Sequence, residues 1–304
     1  MKIRVSGLLI GAIQIACVVG LWSQSPTSRQ TLIRKNCATP QILSQIDKGE
    51  ITTDETLASF YETGYCVPQD DHLAAYWYRK AAEQGIARAQ NTLGSLYEDG
   101  KGVPRDYQQA ALWYRKAADQ GDTDALNNLA NMYANGEGFV QDDAQAAYWY
   151  RKAAEKGNEN GELQLGQLYD LGHGLPQNYE QAAYWYRKAA ELGDGGAQYS
   201  LGELYFDGRG FDRDYVEAYF WLDLAAASSE DQTWNKAASY FRDQAASHLT
   251  STQLNDIQAR VSVWTDAHPQ KPCVRVDQQT TKCFTSRQEM EKVLDYQDSH
   301  GPQK

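Results

Sequence analysis

Tyr76-Trp77-Tyr78-Arg79-Lys80-Ala81-Ala82-Glu83 returns unchanged at Tyr148 to Glu155 and at Tyr184 to Glu191. Leu112 to Asp119 repeats it with two changes, and Phe220 to Ala227 keeps the tryptophan while losing the Arg-Lys pair. Trp77, Trp113, Trp149, Trp185 and Trp221 are therefore separated by 36 residues at every step. A fixed period of that length marks a repeat array, each unit being about two short helices that bury their apolar sides against their neighbours. Such a chain presents a long surface rather than enclosing a pocket.

A second phrase recurs with the same period. Leu93-Gly94-Ser95-Leu96-Tyr97-Glu98-Asp99-Gly100-Lys101-Gly102-Val103-Pro104-Arg105-Asp106 has copies starting at Leu129, Leu165 and Leu201. Leu57 to Asp70 matches it too, with Cys66 in the place of Gly102, Gly138, Gly174 and Gly210. Within each unit a first helix, A, is predicted from about Ala89 to Glu98, with Leu93, Leu96 and Tyr97 as its buried stripe. The paired glycines stop helix A and turn the chain. Asp106, Asp142, Asn178 and Asp214 are placed to cap helix B, which carries the tryptophan phrase. Gly94, Ala130, Gly166 and Gly202 keep helix A small where helix B approaches.

The repeat pattern breaks at Ser229, and the array is assigned residues 57–232. One more helix is expected from Gln232 to Ser247. Another is introduced by a capping box, Thr250 with Gln253, flanked by Leu249 and Leu254 as a hydrophobic staple. Together 233–268 form a cap over the last repeat. Residues 269–304 read as a small tail, a hairpin between Cys273 and Cys283 followed by a helix from Arg287 to Tyr296. At the front, Thr39-Pro40 starts a cap helix within 31–56.

Residues 1–25 read as an export segment. Lys2 and Arg4 form a basic head, and Val5 to Trp22 is apolar except for Ser6 and Gln14. Ser23 and Ser25 offer a cleavage site, while the apolar run is long enough to remain as an anchor. Either outcome puts the body outside the cytoplasm, periplasmic, secreted or tethered through residues 5–22. Apart from Cys17, four cysteines remain, an even number that in an exported chain argues for disulfides. They lie in pairs at opposite ends of the array, so Cys37–Cys66 and Cys273–Cys283 are the expected bridges.

A net charge of −11 disfavours nucleic acid and anionic membranes as partners and favours basic or neutral ones. No Gly-x-Ser-x-Gly, His-Glu-x-x-His, Ser-x-x-Lys or phosphate-binding loop occurs, so no catalytic residue is assigned. The five histidines are scattered, and Asp207, Asp212 and Asp214 lack the spacing of a calcium loop, so neither cofactor nor metal is expected. The Trp/Tyr series beside alanines reads as core. Arg79, Arg115, Arg151 and Arg187 each have an acid four residues on, which predicts a solvated or ion-paired face.

These phrases closely resemble the Sel1-like repeat, a cousin of the tetratricopeptide repeat, over about Leu57 to Ala227. The resemblance implies an all-α fold, a right-handed superhelical solenoid of about five 36-residue two-helix repeats used as a scaffold for other proteins. It also implies that helix A lines the concave side. A cysteine-rich branch of the family is linked to β-lactamase activity, but it places a cysteine pair in nearly every repeat, whereas this array holds only Cys66. Positions that vary between copies on a fixed frame are where specificity can lie. On helix A the expected exposed track is Asn91, Ser95 and Glu98, then Asn127, Asn131 and Ala134, then Leu163, Gln167 and Asp170, then Tyr199, Glu203 and Phe206. Partner contacts are assigned to Asn91, Asn127, Asn131, Leu163, Gln167, Tyr199, Glu203 and Phe206, with Tyr199 and Phe206 as the aromatic anchors for an apolar, basic segment. The expected function is an exported scaffold binding a protein or peptide. The alternatives are a β-lactamase-like envelope hydrolase and an accessory of a glycan-export or cell-wall machine.

Overall fold

The computed structural model describes residues 53–65, 67–227, 232–268, 273–275 and 281–283. The expected bridge Cys37–Cys66, the front cap, the export segment and the helix from Arg287 to Tyr296 lie outside these residues. Twelve helices are described: α1 (Thr53–Thr63), α2 (Asp71–Glu83), α3 (Ala87–Asp99), α4 (Tyr107–Asp119), α5 (Thr123–Asn135), α6 (Asp143–Glu155), α7 (Glu159–Leu171), α8 (Tyr179–Glu191), α9 (Gly195–Asp207), α10 (Tyr215–Ala227), α11 (Gln232–Ala246) and α12 (Ser251–Ala267). Two short strands follow, β1 (Cys273–Arg275) and β2 (Thr281–Cys283). Odd-numbered helices up to α9 are the A helices and even-numbered ones up to α10 the B helices. Two compact units divide the chain, one ending at Asn158 and the other beginning at Glu159.

In the first unit each helix packs against the next, from α1 to α6. Leu57, Phe60, Tyr61, Trp77, Tyr78, Leu93 and Leu96 form a continuous buried cluster there. Alanines at the seams (Ala81, Ala82, Ala89) are sealed from solvent and let the backbones approach. In the second unit Tyr186, Leu201, Leu204, Trp221 and Leu222 form the core, which continues through Ala238 and Ala245 of α11 and Ile257 of α12. Burying a leucine of this kind contributes about 2 kcal/mol. α12 opens with the expected capping box of Thr250 and Gln253, and Leu249 and Leu254 both pack on the core.

Helix A begins two residues earlier than the sequence suggests, at Ala87 rather than Ala89. Helix B is capped as expected: Asp106 accepts from the Gln108 and Gln109 amides, Asp142 from Gln145, Asn178 from Gln181, and Asp214 from Val216 and Glu217. Between A and B the second loop glycine has a positive φ and lies against the start of the preceding B helix. A Cβ on Gly102 would stand 1.9 Å from the Asp71 carbonyl oxygen, and one on Gly138 would stand 2.5 Å from that of Tyr107. No side chain larger than hydrogen fits there.

Of the two readings of this face, solvated or ion-paired, the pairing of arginine with the acid four residues on is corrected for three copies. Arg79, Arg115 and Arg187 donate to the hydroxyls of Tyr97, Tyr133 and Tyr205 on the following A helix. The acids four residues on do not hold them, because the tyrosine lies where the guanidinium already points and binds it without ordering a second flexible chain. β1 and β2 pair antiparallel with Cys273 directly opposite Cys283. No helix of the described residues is long and apolar enough to cross a membrane.

Candidate functional site

The track expected to be exposed on the A helices is half-buried over most of its length, and two of its residues are buried. Tyr199 is only 8% exposed and Asn127 only 7%. Tyr199 lies against the rings of Trp234 and Phe241, with centroids 5.2 and 6.3 Å away. Phe206 meets Tyr215 at 5.6 Å and Phe241 at 5.5 Å. The aromatic end of the track is thus covered by α11. Sequence spacing put both aromatics on one face correctly, but the helix that closes the array needs apolar anchors on that face. Leu163 also packs on the core of the second unit.

The acidic positions of this track stay partly open, and a tyrosine on helix B supports them from behind. Tyr78 donates to Glu62 (2.8 Å), Tyr114 to Glu98 (2.5 Å) and Tyr186 to Asp170 (3.4 Å), each across 16 residues. Copies that lose one partner lose the other or change it. Where the acid becomes Ala134, Tyr150 turns to Asn131 at 2.5 Å. Where the acid becomes Phe206, the tyrosine has become Leu222. Burial beside these carboxylates raises the tyrosine hydroxyls, and burial alone pushes Tyr150 up to about 12.

The carboxylates are perturbed in turn. Burial holds Glu98 above the usual glutamate range, only partly offset by the Tyr114 hydrogen bond. Asp170 is raised by burial and lowered in part by Arg209, whose Nη1 lies 3.2 Å away. Glu203 is raised for the same first reason, with the Tyr199 hydroxyl counteracting. The second unit adds a sealed carboxylate, Glu162, which Lys188 approaches at 3.3 Å. Asp207, weighed as part of a calcium cluster, pairs with Arg209 at 3.2 Å, and Asp214 is a helix cap. In each unit, such half-buried carboxylates attract a cation with hydrogen-bonding capacity: Glu98 in the first, Asp170 and Glu203 in the second.

The Sel1 repeat pattern matches residues 57–86, 87–122, 123–158, 160–194 and 196–229, more than half of the chain. The chain belongs to the Sel1 repeat family. A Sel1 repeat protein from Oxalobacter formigenes shares 27% identity and superposes with a TM-score of 0.58, over 72% of this chain and 99% of that one. Cysteine-rich protein B of Helicobacter pylori shares 27% identity over 42% of this chain and 92% of its own, with a TM-score of 0.36. An immunity protein of Pseudomonas aeruginosa shares 21% identity over 57% of this chain and 73% of its own, with a TM-score of 0.36. No curated protein matches the sequence.

Sel1 repeats serve in general as protein-interaction scaffolds. In this Sel1 array the hydroxyl–carboxylate ladder is the part of the surface that reading position by position misses. The signal was present in the sequence: Glu62, Glu98 and Asp170 each precede a helix-B tyrosine by 16 residues.

Proposed function

We propose that this Sel1 repeat chain is an exported, non-enzymatic scaffold of the cell envelope that grips a basic protein or peptide segment on its A helices. The observation that carries the reading is the set of half-buried carboxylates, Glu62 and Glu98 in one unit and Asp170 and Glu203 in the other, held by tyrosine hydroxyls. A guanidinium or ammonium group arriving there would offset the desolvation that raises Glu98, Asp170 and Glu203. Asn91, Asn131 and Gln167 are the neutral contacts beside these acids. Tyr199 and Phe206 drop out of the contact set because α11 occupies them, and Leu163 because it serves the core. The basic head and apolar run before Pro26 support export, and the β1–β2 register supports a Cys273–Cys283 bridge, since directly opposed residues fall within disulfide reach.

The test is recovery of partners from envelope extract with full-length protein, beside Glu98→Lys and Asp170→Lys, followed by mass spectrometry. Both variants should fold, by circular dichroism, and lose the proteins that the unaltered chain retains. Identical recoveries from all three would remove the reading. The hydrolase alternative is separated by nitrocefin turnover: a rate above the uncatalysed one would displace the scaffold.

A further inference from the structure

The side of α12 that faces away from the core is not polar throughout. A groove of about 580 Å³ follows it, walled by Phe220 of α10 and by Val263, Trp264 and His268. Val263 is 70% exposed there. His268 stacks on Trp264, with ring centroids 4.2 Å apart, so the two form one aromatic wall. The lining carries one charge of each sign, Asp256 and Arg260. Arg260 is already engaged, 2.8 Å from Glu217 and 4.5 Å over the Phe220 ring. The groove therefore suits an apolar segment, not the basic one that the A-helix carboxylates attract.

The same chain supplies such a segment beyond the hairpin. Ser286 and Glu289 have the spacing of a capping box, ahead of Met290, Val293 and Leu294 at i, i+3 and i+4. A helix over 287–296 would be about 15 Å long, too short to stand alone in water, so its apolar stripe needs a surface. The groove runs from Asp256 to His268, about 18 Å along α12. The lengths match.

The segment is also within reach. Cys273 lies directly opposite Cys283, so the hairpin returns the chain to where it entered, about 5 Å away. Residues 269–272 and 284–286 can span at most about 17 and 13 Å, which keeps Arg287 within roughly 35 Å of His268. Tethering at that range holds the segment at an effective concentration of about a millimolar, far above that of a second copy in dilute solution.

We infer that the groove beside Val263 and Trp264 is the docking site of this chain's own segment 287–296, which seats Met290, Val293 and Leu294 in it. The docked segment covers the apolar side of α12 and denies it to other copies. Head-to-tail contacts between copies, which propagate into filaments when they do not close, then have no foothold at this face.

Hydrogen exchange read by mass spectrometry tests this on full-length protein, beside Val263→Asp and the double change Val293→Asp/Leu294→Asp. Val263 is mostly exposed and the other two sites lie beyond α12, so circular dichroism should show the helical array intact in both variants. Val263→Asp should make the amides of 287–296 exchange at least about tenfold faster, and the double change should do the same to those of 256–268. Fast exchange over 287–296 in the unaltered chain would overturn the inference, as would protection there that ignores Val263→Asp. Protection that fades on dilution, with a doubled mass by light scattering, would give the groove to a second copy and overturn it equally.

Discussion

At the scale of single residues, the contact between helices A and B is decided by what lies beneath one tyrosine. A Cβ on Gly94 would stand 2.6 Å from Tyr114 Cδ1, and one on Gly166 would stand 2.6 Å from Tyr186 Cδ1. The third repeat has Ala130 at this place, and there the tyrosine, Tyr150, bonds Asn131 instead of the residue one turn on. Gly94→Ala should therefore push Tyr114 away from Glu98 and cost about 1–3 kcal/mol in urea unfolding. Combined with Glu98→Ala, whose acceptor is then already gone, the losses should fall short of additive. Tyr114→Phe tests the same bond by pH. Because Glu98 is raised in the folded state, its protonation favours folding: that stabilisation is full below the ordinary value near 4.5 and is lost as pH rises through the raised one. Removing the hydroxyl that steadies the anion should cost about 1–2 kcal/mol at neutral pH and less in acid, where Glu98 is neutral. An equal cost at both pH values would show that the bond does not stabilise the carboxylate.

At the scale of elements, the turn between helices A and B is the most constrained part of the repeat. Gly85 and Gly102 both have positive φ, +89° and +70°, but nothing lies within 4 Å of a Cβ on Gly85. Gly85→Ala should cost only the backbone strain, about 1 kcal/mol, whereas Gly102→Ala adds a collision with the Asp71 carbonyl and should cost at least about 2 kcal/mol more. Equal midpoints in denaturant would show that the loop yields. The helices, their caps and this turn were legible in the sequence because each rests on a local pattern copied several times: Leu93 with Leu96, Asp106 before helix B, glycine after helix A. Which residues are exposed on helix A was not legible, since exposure of Tyr199 and Phe206 depends on α11, whose sequence lies outside the repeat. The partner of Arg79 escaped for a related reason. Tyr97 is 18 residues away and conspicuous only as a core residue, while Glu83 stands four residues on and fits a familiar helical pair.

At the scale of the whole molecule, α11 and α12 complete the second unit by covering Tyr199, Phe206 and the helix-B core around Trp221 and Leu222. A chain ending at Ser228 should aggregate, or elute by light-scattering chromatography as larger species, because that apolar face becomes wet. A monomer that melts like the full protein would refute this. Partner capture should also follow the raised carboxylates: affinity for a basic segment should fall as pH drops from neutral through the values of Glu98 and Asp170, because protonation removes the charge that attracts it. Capture that strengthens in acid would point to another surface. The loop glycines, finally, give the array a direction of descent. Gly102 and Gly138 leave room for a carbonyl that belongs to the repeat upstream, so each interior copy carries its own licence to follow another. The leading copy, with Cys66 in that place, lacks it. A duplication that pasted the leading repeat into the interior would drive a side chain into its new neighbour's backbone, whereas an interior repeat could be copied anywhere behind the first. Lineages of this chain are therefore expected to lengthen from the middle and keep the same leader.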